Sequence, residues 1–123
     1  MAVLGRLKRL NRFAEAETRR TFAAHGLDAA SFDVLATLRR NGPPYRLTPA
    51  ALMRDAMVTS GAVTQRLDRL ERRGLVERAP SPDDGRVVLV TLTDEGHAVL
   101  DATLPDHLAT EARLLAGLAP RPA

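Results

Sequence analysis

Between Val58 and Arg78 the sequence reads VTSGAVTQRLDRLERRGLVER, and its polar residues recur at helical spacing. Gly61, Gln65, Asp68 and Arg72 fall on one side of a helix of ~100° per residue, with Thr64 and Arg69 on the flanks. Val63, Leu67 and Leu70 form one narrow apolar stripe on the other side, within about 60° of one another. Arginine presents a planar donor fork that matches guanine O6 and N7, and a glutamine amide matches adenine N6 and N7. A helix with one buried side and small, hydroxyl, amide and guanidinium groups on the other is suited to a DNA major groove.

Other chemistries lack their residues. The chain has no cysteine, so disulfides and Cys-based zinc sites are excluded. His25, His97 and His107 are widely separated and carry no HxxH or HxxxH spacing; scattered histidines of this kind are expected at the surface, with no metal site. Asp83-Asp84 and Asp94-Glu95 are better explained by a turn and a helix start than by paired catalytic carboxylates. No Ser/His/Asp constellation and no glycine-rich phosphate loop is present, and Lys8 is the single lysine. The sequence therefore predicts neither an enzyme nor a cofactor.

The elements that must position the polar helix follow from punctuation. Residues 3–24 form an amphipathic helix with Val3, Leu4, Leu7, Leu10, Phe13 and Ala14 on one face and six cations elsewhere, and Gly26 suits its C′ position. A basic amphipathic helix can lie on a membrane, but packing on a partner is the expectation. A second helix spans 28–40, with Asp28 or Ser31 as its cap and Phe32, Leu35, Ala36 and Leu38 on its apolar side. Asn41-Gly42-Pro43-Pro44 ends it.

Thr48-Pro49 supplies an N-cap and an N1 proline for a short helix through Ala56. Met57-Val58 turns into the polar helix, capped by Thr59 or Ser60 and stopped by Gly74. Leu75–Ala79 and Arg86–Leu92 read as strands around the turn residues Pro-Ser-Pro-Asp-Asp-Gly, so a hairpin follows the polar helix. Thr93 caps a last helix, in which Pro105 predicts a kink or break. The fold class is mainly α with a small β-hairpin wing (α+β): a winged helix-turn-helix with flanking N- and C-terminal helices.

At 123 residues and 45% hydrophobic content the chain makes one domain with a core of Leu, Val and Ala. Net charge is +3, but residues 1–93 carry +6 and residues 94–123 carry −3. The positive part coincides with the helix-turn-helix and what precedes it, as a polyanion-binding surface requires. No apolar run of transmembrane length and no signal peptide is evident, which predicts a cytoplasmic protein with no membrane partner.

The run Leu67-Asp68-Arg69-Leu70-Glu71-Arg72-Arg73-Gly74-Leu75-Val76-Glu77-Arg78, then Asp84-Gly85-Arg86, then Val90-Thr91-Leu92-Thr93, resembles the MarR-type (multiple antibiotic resistance regulator) winged helix-turn-helix proteins. The similarity extends from about Leu4 to Leu118. It implies one domain over 1–123, with dimerisation helices at 3–26 and 94–119 and a DNA-binding part at 28–93.

The resemblance further implies a homodimer on double-stranded DNA carrying a pseudo-palindromic operator. Ser60, Gly61, Thr64, Gln65 and Arg69 would face the major groove or its phosphates, and Thr48 and Arg72 would join this DNA-binding set. Arg86 would be the wing arginine for the adjacent minor groove, whose negative potential attracts Arg. Asp84 would orient the wing by pairing with a nearby arginine.

Members of the family continue past the Leu114-Leu115 region into a further helix. Pro120 and Pro122 allow none here, so a weaker or rearranged dimer is expected.

The expected function is a sequence-specific, ligand-responsive repressor. A small apolar or aromatic effector, near Phe13, Phe22, His25, Phe32 and Leu35, would change the spacing of the two polar helices. Thiol-oxidation sensing is excluded by the lack of cysteine. The alternative is a winged-helix protein–protein interaction module or co-regulator, which would show no salt-dependent affinity for nucleic acid.

Overall fold

A computed structural model describes residues 2–56 and 60–118. In chain order the elements are α1 (Ala2–Ala23), α2 (Ala29–Arg40), β1 (Arg46–Leu47), α3 (Pro49–Ala56), α4 (Ser60–Arg72), β2 (Val76–Pro80), β3 (Val88–Leu92) and α5 (Asp94–Leu118). They divide into two compact units, Met1–Ala29 with Ala102–Ala123, and Ala30–Asp101.

The second unit is built around Val34, Leu35, Leu38, Leu52, Val63, Leu67, Leu70, Val76 and Val90, all nearly without solvent exposure. Its sheet has the order β1-β3-β2, antiparallel throughout. Val76 pairs with Leu92 and Pro80 with Val88, which registers the hairpin. The sequence reading missed β1. Two residues are too few to show a period, and the strand exists only because Arg46 and Leu47 find Thr91 and Val90 on β3. Tyr45 leads into it with φ +61° and gives its carbonyl to the Leu92 amide at 2.9 Å.

Local chemistry sets the boundaries. Gly74 has φ +74° and closes α4. Its amide bonds to Glu71 O and the Leu75 amide to Leu70 O, both at 2.9 Å, a Schellman turn with buried Leu70 and Leu75 as the apolar pair. Gly26 ends α1 the same way, with Gly26 N bonded to Ala23 O and Leu27 N to Phe22 O. Thr48 caps α3 by accepting the Ala51 amide at 3.2 Å. Thr93 caps α5 by accepting the Gly96 amide at 3.1 Å, while its own hydroxyl donates to Gly74 O at 2.5 Å.

Three expectations change. α5 continues unbroken through Pro105. One lost N–H does not end a helix whose neighbouring turns are held: Asp101 pairs with Arg39 at 2.6 Å, and Thr103 and Thr110 are buried. Ser60 is already helical, so the cap assignment passes to Thr59, which lies outside the described residues, as do Met57 and Val58. Leu75, Arg86 and Val87 lie outside the strands, because the Gly74 turn and the tip bonds claim them.

In the first unit α1 meets the C-terminal part of α5 through polar groups. Thr110 and Thr21 hydroxyls lie 2.6 Å apart, and Thr21 donates onward to Glu17 O at 3.0 Å. Phe22 stacks on His107 with ring centres 4.9 Å apart.

Candidate nucleic-acid interface

On α4 the apolar stripe is the buried side: Val63, Leu67 and Leu70 retain 2% exposure or less. Gly61, Thr64, Gln65, Arg69 and Arg72 are exposed. A Cβ built on Gly61 would meet nothing within 4 Å, so another molecule can come close to that backbone. Arg72 also sends Nε to Asp68 O at 3.3 Å. Thr48 is half-buried as the α3 cap. Ser60 opens α4, where the first backbone N–H groups of a helix point toward an incoming anion.

Asp68 departs from the face on which the sequence pattern put it. Its Oδ1 accepts Arg78 Nη2 at 2.7 Å. Glu71, one turn further on, takes Arg78 Nε at 3.2 Å and Nη2 at 2.9 Å on one oxygen, and the Arg78 backbone N–H at 2.9 Å on the other. Arg78 thus ties α4 to β2 across the Gly74 turn. The side-chain hydrogen bond from Arg78 lowers the Glu71 pKa below its ordinary 4.5. Those bonds, to Glu71 first and Asp68 second, raise the Arg78 pKa.

The hairpin tip, residues 81–87, is held by its own backbone. Ser81 N bonds to Val87 O at 2.7 Å, and Val87 N to Asp84 O at 3.0 Å. Asp84 Oδ1 accepts the Arg86 backbone N–H at 3.0 Å and its Nε at 3.3 Å. The Arg86 side chain is 92% exposed, so a guanidinium projects from a tip whose backbone is fixed.

This arrangement is an exposed arginine- and glutamine-bearing helix beside a hairpin with a cationic tip, and it matches known proteins. A family profile described as the MarR family matches residues 25–87. The HTH-type transcriptional regulator PecS of Dickeya dadantii is 37% identical over 115 residues, covering 94% of this chain and 69% of that protein. This chain belongs to the MarR family.

MarR-family proteins are DNA-binding transcriptional regulators and not enzymes. Among solved structures, BpsR of Bordetella bronchiseptica aligns with a TM-score of 0.81 at 29% identity, covering 96% of this chain and 82% of that one. That structure concerns regulation of BpsR DNA binding by 6-hydroxynicotinic acid. Sco3205 of Streptomyces coelicolor, a MarR-family regulator solved in complex with DNA, aligns with a TM-score of 0.83 at 26% identity, covering 97% of this chain and 74% of that one. The chain spans 69% of PecS and as little as 50% of other curated relatives that it matches.

The residues named for an effector are distributed over both units. In the first, Phe13 is 56% exposed and lines a groove of about 330 Å³ with Leu10, Ala14, Thr110, Arg113 and Leu114. Phe22 is buried on His107, and His25 Nε2 lies 2.7 Å from Asp106 Oδ2. In the second, Phe32 and Leu35 are buried in the core.

The histidines are packed and bonded, contrary to the surface expectation. His107 also contacts Glu111 at 3.0 Å, and His97 meets Tyr45 edge-on with ring centres 4.4 Å apart. Among the described residues, no three His, Cys, Asp or Glu side chains gather to hold a metal ion, and no helix is long and apolar enough to cross a membrane.

The sequence reading passed over two functional supports. Arg78 was signalled by Glu71, seven residues before it across the Gly74 turn. Gly96 gave no periodic signal, yet a Cβ there would collide with Leu75 O and Leu92 Cδ1.

Proposed function

We propose that this protein is a ligand-responsive repressor that binds a pseudo-palindromic operator as a homodimer. The observation that carries the reading is the pairing of exposed Gln65 and Arg69 on α4 with the projecting Arg86 on a backbone-fixed hairpin tip. In this reading α4 enters a major groove, with Ser60, Gly61, Thr64, Gln65, Arg69 and Arg72 at base edges or phosphates. Thr48 lies beside a phosphate at the start of α3. Arg86, oriented by Asp84, enters the adjacent minor groove. Two copies place their α4 helices about one helical turn apart, ~34 Å.

Dimerisation is assigned to the first unit, supported by Val3, Leu4, Leu7, Leu10, Phe13, Leu104, Leu108 and Leu115, which stand exposed on α1 and α5. An apolar surface of this kind marks a partner interface. The effector is a small apolar or aromatic molecule. The Phe13 groove is the first site to test, and Phe22, His25, Phe32 and Leu35 are further positions to substitute singly. BpsR, whose DNA binding is regulated by 6-hydroxynicotinic acid, supports an aromatic acid as the first compound to try.

The test pairs light scattering with fluorescence anisotropy on DNA from upstream of the gene. A dimer that binds one duplex with a steep salt dependence supports the proposal. Indifference of the protein to DNA at low salt refutes it.

A further inference from the structure

We propose that Arg78 is a positioning residue for DNA recognition. Held by Asp68 and Glu71, it locks α4 to the wing so that Gln65, Arg69 and Arg86 meet adjacent grooves together. The inference rests on the DNA-binding reading above and adds to it a residue that touches no DNA.

Three observations carry it. First, one guanidinium takes carboxylates from two successive turns of α4, Asp68 at 2.7 Å and Glu71 at 2.9 Å. Such a two-sided grip fixes rotation of the helix about its axis as well as its distance from β2. A forked, planar donor set does this and a point charge does not. Second, Glu71 also holds the Arg78 backbone N–H at 2.9 Å, so the strand itself is gripped. Arg78 pairs in register with buried Val90 on β3, which passes the constraint to the second strand of the hairpin. Third, the chain link between the two readers is the Gly74 turn, a positive-φ position that leaves a hinge unless side chains brace it. The grip is also electrically necessary. Asp68 and Glu71 place two carboxylates on the helix proposed to approach a polyanion, and Arg78 is the cation seated between them.

The test begins with the protein alone, so that it stands apart from the DNA-binding reading. The chain has no cysteine, so Gln65→Cys with Arg86→Cys gives two clean labelling sites. Spin labels there report the helix-to-wing distance, with labelled protein diluted in unlabelled protein to suppress distances between copies. The parent is expected to give one narrow distribution. Arg78→Gln is expected to broaden or shift it at a temperature where circular dichroism shows both proteins folded. Asp68→Asn, which removes one bond at a half-exposed carboxylate, is the milder variant should Arg78→Gln unfold, and is expected to broaden the distribution to a smaller extent. An unchanged distribution in these variants overturns the proposal.

On DNA, with Gln65 and Arg86 intact, Arg78→Gln should lower the operator-to-scrambled affinity ratio by about tenfold, the scale of one mismatched base pair. Its salt slope should stay at the parent value, because no phosphate contact is lost. Arg78→Lys keeps the charge without the fork and should recover part of that ratio. A slope reduced by about 1 would make Arg78 a phosphate contact and overturn the proposal. Parental specificity in the charge-neutral Asp68→Asn/Glu71→Gln/Arg78→Gln protein would also overturn it, since masking of charge would then account for everything. Failure of the parent to bind DNA would sink the functional reading while leaving the distance measurement to decide the lock.

Discussion

Replacing Arg86 by alanine separates recognition from folding. The side chain is 92% exposed. Asp84 keeps the Arg86 backbone N–H at 3.0 Å after truncation, so the tip retains its shape. Stability should therefore stay within about 0.5 kcal/mol of the parent. The binding effect follows from charge. Arg69, Arg72 and Arg86 are exposed cations on the proposed face, three per copy and six per dimer. If each neutralises one phosphate, log K against log salt falls with a slope of roughly −0.9 per contact, or about −5.4 for the dimer. Removing two wing arginines leaves four contacts and a slope of about −3.6.

Between about 50 and 200 mM salt the parent then loses roughly 2,000-fold in affinity and the variant roughly 150-fold. Anisotropy titrations at four salt concentrations measure both slopes, and a thermal melt checks the fold. A slope change near 1 would indicate that one wing contacts phosphate per duplex, contrary to a symmetric dimer. No change in slope or affinity would refute the placement of Arg86 at the DNA.

Other perturbations test neighbouring parts of the argument. Gly61→Ala should raise stability by about 0.4–1 kcal/mol, because the position is helical and open, while weakening operator binding through the added methyl; a melt and an anisotropy titration check the opposite signs. Gln65→Ala should relax preference at particular base positions with little change in salt slope, read by competition with single-base operator variants. Gly96→Ala should destabilise by about 1–3 kcal/mol in denaturant titration, because its Cβ would press on Leu75 O and the Leu92 side chain at the start of α5; unchanged stability would show that α5 can retreat freely.

The last prediction concerns acid. Glu71 has a folded pKa lowered from 4.5, so its contribution is present above that value and is lost as pH falls through the folded pKa below it. Glu71→Gln should flatten the acid limb of the stability curve in that window, and an equally steep limb would count against the Arg78 grip.

Locally enforced features were legible without coordinates. Gly26 and Gly74 close their helices because only the left-handed region permits those turns cheaply, and Thr48 and Thr93 cap because a hydroxyl there meets orphan amides. The Val63, Leu67 and Leu70 stripe foretold which side of α4 is buried, and therefore which side is offered to DNA. Asp84 beside Arg86 was equally local, two residues apart in one turn.

What depended on residues distant in the chain was decided by tertiary structure. β1 exists only through its pairing with β3. Asp68 reads as a groove-facing carboxylate on a helical wheel, and only the return of β2 places Arg78 against it. His107 looks like a stray surface histidine until Phe22 covers its ring, and Gly96 looks incidental until Leu75 and Leu92 close over it. Periodicity and caps are properties of a few consecutive residues and so are written in their order. Pairing across the fold depends on where packing brings separate segments together, and no window of sequence contains that information.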